Sequence, residues 1–112
     1  MGEYIYLFRG GARSASPDQL QQQMGKWADW AKTLGIGGNL RAGDPLEKSG
    51  KVIRGTGADV VDVEFDESGD SIGGYMIVEC RDLQEAVDLS GGCPIFDTGG
   101  YVEVRSILKL TA

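Results

Sequence analysis

The sequence predicts an α+β fold in which an antiparallel sheet carries two helices on one face. Three observations favour it: several short runs are rich in strand-forming residues, two segments open with helix-capping signals, and these patterns alternate along the chain. Their order is strand, helix, two or three strands, helix, strand. This order is the βαββαβ pattern of ferredoxin-like folds.

The first strand is predicted over residues 4–8, where aromatic and β-favouring side chains run almost without a break. Such continuous apolar character suits a central strand that is covered on both faces. The Arg-Gly-Gly run at residues 9–11 ends it. The first helix then begins with a capping box, because Ser16 can cap it and Gln19 follows three residues later.

One apolar stripe marks the first helix, with spacings of four, three, four and three residues. The stripe is formed by Leu20, Met24, Trp27, Ala31 and Leu34. Trp30 lies about 60° away by helix geometry. It is therefore expected at the flank, facing a cleft or a partner, where half-buried indoles are common. Gly35 is expected to end the helix.

The glycine-rich region over residues 36–57 predicts a short strand near residues 36–40, a loop through residues 43–46 and a strand at residues 51–54. Its glycines and Pro45 are typical of turns and edges. The region therefore holds short, irregular elements between two better-defined parts of the chain.

Residues 61–65 alternate apolar and acidic side chains, as a half-exposed strand does. A polar turn is expected over residues 66–70, and another strand over residues 74–79. The glycine pair before Tyr75 leads into a strand rather than a helix, so it lacks the helix N-terminus that holds a phosphate. Close backbone approach or a bulge is the better explanation.

The second helix is predicted to start at Asp82, with Glu85 three residues later. Its inner face is expected to be Leu83, Ala86, Val87 and Ser90. A glycine pair at residues 91–92 ends it. The last strand is predicted over residues 101–110, with Val102, Val104 and Ser106 on one face and Glu103, Arg105 and Ile107 on the other.

Composition indicates a single domain over residues 1–112, with a formal net charge of −6 from 17 acidic and 11 basic residues. A nucleic-acid partner is not expected, because its phosphates require a basic face. The sequence has no membrane-spanning run, so a membrane partner is not expected either. Cys80 and Cys93 have no CxxC neighbour, and there is no histidine. We therefore expect no metal and no cofactor, free thiols and a cytoplasmic location.

The face of the sheet opposite the helices is expected to be apolar and open. Burying it against a second copy of the chain is the physical reason to expect a homodimer. A modest domain of this length also gains from the extra burial.

Residues 62–75 read DVEFDESGDSIGGY, which is similar to the DGPFAExKExIGGY segment of the DGPF branch of the YCII-related family. Residues 45–52 resemble its PLExSGKV segment, residues 82–95 its DLDEAV…GCPI segment, and residues 99–107 its GGxVEVRPI strand. The four segments occur in order and cover nearly the whole chain. The resemblance implies the dimeric α/β-barrel superfamily, in which ferredoxin-like domains pair.

The chain also departs from the family pattern. Val63 and Glu64 stand where Gly and Pro are usual, which alters the family's namesake turn, and Gly69 stands where a Lys is usual. In the broader group, a His–Asp pair in the cleft is proposed to be catalytic. This chain contains no histidine. The pair cannot form here, and Ser14 and Ser16 cannot belong to a serine hydrolase triad either.

Two candidate site residues lie near the ends of predicted elements. Arg9 follows the first strand, at the mouth of the cleft expected between sheet and helix, where its guanidinium can grip a carboxylate or phenolate. The alternative is a surface ion pair with an acid. Asp44 precedes Pro45 and can act as a general base or a ligand contact. Its alternative is a turn aspartate that bonds its own backbone.

Asp62 and Glu64 share a strand face and can flank a ligand or simply be solvated. Tyr75 either points its hydroxyl into the cleft or packs. Phe65 joins Arg9, Asp44 and Tyr75 as a candidate ligand contact, because it belongs to the segment that resembles the family motif. Asp44, Asp62 and Tyr75 are the candidates for a catalytic base.

Three functions are compatible with these residues. The first is a binding protein for a small acidic or phenolic metabolite, which the missing histidine favours. The second is an enzyme with proton-transfer chemistry of the isomerase or lyase kind. The third is a structural or regulatory dimer that binds a protein partner. Fold alone decides none of them.

Overall fold

The structure is a computed structural model that describes residues 1–11, 16–65 and 71–110. Its strands are β1 (Gly2–Arg9), β2 (Leu40–Pro45), β3 (Ser49–Arg54), β4 (Asp59–Glu64), β5 (Ile72–Cys80) and β6 (Tyr101–Ser106). Its α-helices are α1 (Pro17–Ile36) and α2 (Leu83–Leu89), and short 3-10 turns occupy Ser90–Gly92 and Pro94–Thr98. Ser14 and the predicted polar turn over residues 66–70 lie outside the described residues.

Four strands form an antiparallel sheet in the order β2-β5-β1-β6. β3 and β4 form a separate two-stranded hairpin. Without this hairpin the chain runs β1-α1-β2-β5-α2-β6, so the predicted α+β, βαββαβ order is confirmed. The hairpin is an insertion between the second and third strands of the pattern.

Side chains from alternate positions of the central strands meet the helices in one core. Tyr6 and Phe8 project from β1, and Trp30 stacks on Tyr6 with ring centroids 6.0 Å apart. The core consists of Tyr6, Phe8, Trp30, Leu34, Met76, Val78, Cys80, Ala86, Cys93 and Ile95. These side chains fill the space between sheet and helices.

The buried stripe of α1 overlaps the predicted one only in part: Leu34 is buried and Trp27 and Ala31 pack against the core. The capping box at Ser16 and Gln19 is confirmed, with Ser16 N–H donating to Gln19 Oε1 over 2.9 Å. Trp30, however, is only 7% exposed, whereas Met24 is 71% exposed and Leu20 is also exposed. The reason is that the Trp30 indole meets the core aromatic rings and donates its N–H to the Leu89 carbonyl over 3.3 Å. Its prediction as a flank residue is therefore wrong.

The region after α1 also differs from the sequence prediction. The helix continues past Gly35 to Ile36, and Gly37 caps it by donating its N–H to the Gly35 and Thr33 carbonyls. No strand forms at residues 36–39, since β2 begins at Leu40. The predicted loop over residues 43–46 is instead mostly edge strand, ending at Pro45 opposite Gly74. An edge strand tolerates a proline, because only one of its sides is paired.

The second helix starts as predicted, with Asp82 Oδ1 accepting from Glu85 N–H over 2.9 Å. Ala86 is buried, and Ser90, just beyond the helix, is buried as well. Leu83 and Val87 are exposed, so half of the predicted inner face is wrong. The helix is short, and its burial is concentrated where it packs on β5 and β6.

β6 ends at Ser106, earlier than predicted, although the Ile107 N–H still donates to the Glu3 carbonyl over 3.0 Å. Its predicted alternation is confirmed, because Val102 and Val104 pack against the core. Across the described ranges, no helix combines the length and apolarity that crossing a membrane requires.

Candidate functional site

The face of the sheet turned away from the helices carries the polar candidates. Strand alternation and register align Asp44 of β2, Tyr75 of β5, Leu7 of β1 and Glu103 of β6 in one row across the four strands. We call this surface the open face. Its next row holds Ala42, Ile77, Ile5 and Arg105. The open face therefore has an aliphatic centre with charged side chains around it.

Three acids on the open face are each matched with a base. Arg9 Nε lies 2.9 Å from Glu103 Oε1, and both side chains are half-buried. The other two pairs are Arg41 with Glu79, over 3.0 Å, and Lys109 with Glu3. Arg9 thus forms the ion pair that the sequence left as the alternative to a ligand clamp, although its cationic charge remains on this face.

Asp44 is the exception among these acids. Within residues 1–11, 16–65 and 71–110 its carboxylate makes no ion pair, and it is exposed to solvent. It faces Tyr75 on the neighbouring strand. Side chains directly opposite one another on paired strands have Cβ atoms roughly 5 Å apart. An unneutralised carboxylate and a phenol therefore share one end of the open face.

Glycines bring the two strands of this pair close together. A Cβ on Gly43 would lie 3.0 Å from the Tyr75 carbonyl oxygen and 3.1 Å from Met76 Cα. A Cβ on Gly74 would lie 3.2 Å from the Asp44 carbonyl oxygen. The close-approach explanation of the glycine pair before Tyr75 agrees with this contact. Backbone packing therefore fixes where Asp44 and Tyr75 stand.

The position of the candidates differs from the cleft that the sequence predicts. Arg9, Asp44 and Tyr75 lie on the open face rather than between sheet and helix, because core side chains fill that space. A shallow groove of about 500 Å³ does exist outside the core, between α1 and the Pro94–Thr98 turn. Lys26 and Asp97 pair over 3.2 Å beside it, and none of the predicted site residues lines it.

Asp62 and Phe65 are not brought to the other candidates by any described contact. Asp62 lies on the separate hairpin and pairs with Lys51 over 2.5 Å. Phe65 follows that hairpin, and its ring lies against Gly50. Glu64 accepts a hydrogen bond from Ser49 over 3.2 Å. Asp62 and Glu64 therefore both have partners within the hairpin, which agrees with the interpretation of these acids as solvated strand residues.

The thiols are buried and form no disulfide. Burial raises the pKa of Cys93 to about 11 and also raises the pKa of Cys80. Burial likewise raises the pKa of the Tyr6 phenol, whose hydroxyl donates to the Ala86 carbonyl. In the parts of the chain that the structure covers, no cluster of three or more His, Cys, Asp or Glu side chains can hold a metal.

Glu103 is the site residue that sequence reasoning placed least well. Its predicted partners were Arg105 or an unspecified neighbour. Arg105 Nε lies 4.0 Å from Glu103 Oε2, whereas Arg9 Nε lies 2.9 Å from Glu103 Oε1. Strand alternation puts Glu103 and Arg9 on the same face, but only the register of β1 against β6 makes them neighbours. That register was not available from sequence patterns.

Comparison with known proteins agrees with the fold and the sequence motifs. The model of the YCII-related domain family matches residues 6–111. The chain belongs to this family. A search of curated proteins found no match.

Proposed function

We propose that this YCII-related protein binds a small phenolic or acidic metabolite on the open face, at the end where Asp44, Tyr75 and Arg9 lie. The observation that carries the proposal is the Asp44 carboxylate beside Tyr75, which has no ion-pair partner among the described residues, on a face where Glu3, Glu79 and Glu103 all have basic partners. A site with one spare acceptor favours a ligand that donates a hydrogen bond.

The surrounding side chains suit a ring that carries a hydroxyl group. Leu7 lies beside Tyr75 and supplies an apolar surface, while Asp44 accepts from the ligand hydroxyl. The Tyr75 hydroxyl can donate or accept. Where the ligand also carries a carboxylate, Arg105 provides positive charge on the same face. Few polar groups around an apolar surface are typical of small-molecule sites.

A homodimer through the open face is part of this proposal. The aliphatic centre formed by Ile5, Leu7 and Ile77 is only partly covered within one copy. Pairing two open faces would bury it and would enclose the Asp44–Tyr75 end of the site. Since Cys80 and Cys93 are free thiols, the proposed compartment is the reducing cytoplasm.

A proton-transfer enzyme is the second candidate, and the Asp44–Tyr75 pairing supports it. A carboxylate and a phenol opposite one another can serve as base and acid on one substrate. In this chain such chemistry would proceed without histidine. The third candidate, a dimer that binds a protein partner, needs neither residue.

Thermal unfolding against a panel of phenols, hydroxybenzoates and small carboxylic acids tests the proposal. A ligand at a hundred times its dissociation constant adds about 2.7 kcal/mol, which raises the midpoint by roughly 10 °C for a domain of this size. The shift should shrink strongly in Asp44→Asn and Tyr75→Phe. It should persist in Asp62→Asn, a matched acid on the hairpin that pairs with Lys51.

The outcome separates the three candidate functions. A hit that depends on Asp44 and Tyr75 supports binding at this site, and turnover of that compound would then support the enzyme. A hit that is equally strong in Asp44→Asn and Tyr75→Phe would place the site elsewhere. A panel without any hit would favour the partner-binding dimer.

A further inference from the structure

The groove between α1 and the turns after α2 lies apart from the open face. One side of α1 forms one wall, and the turns at Ser90–Gly92 and Pro94–Thr98 form the other. Its volume of about 500 Å³ is in the range of small-molecule sites, roughly 300–1,000 Å³. The described residues that line it include none of those on the open face. Binding in the groove therefore does not depend on Asp44 or Tyr75.

Aromatic side chains border the groove from both walls. Trp30 comes from α1, and its indole is fixed by the hydrogen bond to the Leu89 carbonyl and by stacking on Tyr6. Phe96 comes from the Pro94–Thr98 turn and is 48% exposed, although it is a large apolar side chain. The groove thus combines one rigid ring with one accessible ring, and a flat apolar group can lie against them.

A glycine keeps the edge of the indole next to the groove. A Cβ on Gly92 would lie 3.4 Å from Trp30 Cδ1 and 3.6 Å from Trp30 Nε1. A side chain at this position would therefore cover the five-membered ring of the indole. At the neighbouring Gly91, a Cβ would meet no atom within 4 Å. The backbone after α2 consequently leaves room beside Trp30.

The charged groups of the groove leave one carboxylate in excess. Lys26 Nζ lies 3.2 Å from Asp97 Oδ2, so these two charges offset one another. Asp29 also lines the groove and is exposed, and among the residues that the structure describes its carboxylate has no ion-pair partner. The Thr33 hydroxyl donates to the backbone carbonyl of Asp29 over 3.0 Å, not to its carboxylate. An acceptor with a negative charge therefore stands beside the aromatic surface.

We infer that this groove is a second binding site, which takes a small organic cation with an aromatic ring, of the arylalkylamine class. The ammonium group pairs with Asp29, because it has only donors and a carboxylate has only acceptors. The ring of the ligand lies against Phe96 and Trp30, and a cation near an aromatic face gains further attraction. The net charge of −6 attracts a cation from solution and repels an anion. This ligand is opposite in charge to an acidic metabolite on the open face.

Two probes with the same skeleton and opposite charges test this preference. Phenethylammonium and phenylpropionate each carry a phenyl ring on a two-carbon linker that ends in the charged group. Each is titrated into the isotope-labelled full-length chain, and amide and indole N–H signals are followed by NMR. Phenethylammonium should shift the signals of Gly91, Gly92 and the Trp30 indole with a dissociation constant of about 1 mM, as expected for so small a ligand. Phenylpropionate should leave these three signals in place.

Two aspartates of α1 provide matched variants. Asp29 and Asp18 are both exposed, and they lie about 16 Å apart along the helix axis. Asp29→Asn should raise the dissociation constant of phenethylammonium about fivefold, because it removes the partner of the ammonium group. Asp18→Asn removes the same charge and should raise it less than about 1.5-fold at 0.1 M salt, where the Debye length is about 10 Å. Phe96→Leu, which removes only the ring, should raise it about threefold.

Saturable shifts at Gly91 and Gly92 that require the ammonium group and weaken more in Asp29→Asn than in Asp18→Asn support the inference. Equal binding of both probes in the groove, equal effects of the two aspartate variants, or no saturable shift up to about 20 mM overturns it. The amides of Gly43 and Gly74 report on the open face. Phenethylammonium shifts confined to them would also overturn the inference. Binding of phenols at the open face is tested separately by Asp44→Asn, so the two proposals can fail independently.

Discussion

Replacing Trp30 is the sharpest stability test of how α1 packs. Its indole is 7% exposed and lies within 6.0 Å, centroid to centroid, of the rings of Tyr6, Phe8 and Trp27. Removing a buried tryptophan side chain costs both the lost transfer free energy and the cavity left behind. We therefore expect Trp30→Ala to lower the free energy of unfolding by about 3–5 kcal/mol.

A second substitution isolates the polar part of that contact. Trp30→Phe keeps an aromatic ring but leaves the Leu89 carbonyl without its indole donor. Losing the hydrogen bond to this partly buried carbonyl should cost about 1 kcal/mol. Met24→Ala is the control, since Met24 lies on the stripe that the sequence predicts as buried but is 71% exposed. It should change the free energy by no more than about 0.5 kcal/mol.

Urea unfolding followed by far-UV circular dichroism measures all three variants without relying on tryptophan fluorescence. Protein concentrations must be equal, because a dimer makes apparent stability depend on concentration. With a slope of about 1–3 kcal/mol per molar urea, Trp30→Ala should lower the midpoint by roughly 2 M. A larger loss for Met24→Ala than for Trp30→Ala would refute the packing described for α1.

Two further predictions concern a glycine and a thiol. Gly43→Ala should destabilise the chain by about 1–3 kcal/mol, because its Cβ would lie 3.0 Å from the Tyr75 carbonyl oxygen. Gly25→Ala is the control and should stabilise α1 by about 0.5–1 kcal/mol, since a Cβ at this position has no atom within 4 Å. Thermal unfolding of both variants checks this prediction, and a stabilising Gly43→Ala would contradict it. Because burial raises the pKa of Cys93 from 9.0 to about 11, the unfolded chain loses this proton first as the pH rises, so stability should fall by about 2 kcal/mol between pH 9 and 11. Cys93→Ala should show a shallower loss in unfolding experiments across that range, and an identical pH profile would argue against this prediction.

Local patterns predicted the elements of this fold better than their orientation. The capping signals at Ser16 and Asp82 each mark a true helix start. The apolar stripe of α1, in contrast, was predicted about 60° away from the direction of its two buried residues, Trp30 and Leu34, as 100° per residue gives it. Several apolar residues lie on adjoining sides of this helix, so periodicity alone left its rotation open. Contact with Tyr6 and Phe8 on β1 decides it.

The edge strand β2 and the candidate site show the same limit of prediction from local sequence patterns. Gly43, Asp44 and Pro45 have the composition of a loop, yet pairing with β5 makes them a strand. The Arg9–Glu103 ion pair joins residues 94 positions apart. Both results depend on register between distant strands, which no local pattern contains. The sequence could therefore single out Asp44 and Tyr75 separately, but it could not place them opposite one another.

The distribution of charge indicates which face a second copy can approach. The side of the molecule formed by α2 and the turn after it carries Asp82, Glu85, Asp88 and Asp97. Lys26 offsets one of these acids and Arg81 contacts two. These four acids have only two basic partners, so this side stays net acidic, and two copies meeting through it would bring like charges together. On the open face, in contrast, acids and bases are equal in number: the acids are Glu3, Asp44, Glu79 and Glu103, and the bases are Arg9, Arg41, Arg105 and Lys109. The net negative charge of the chain therefore disfavours contact between two helical sides and leaves the proposed contact between two open faces available. In this way the acidic composition of the chain favours one interface over the other.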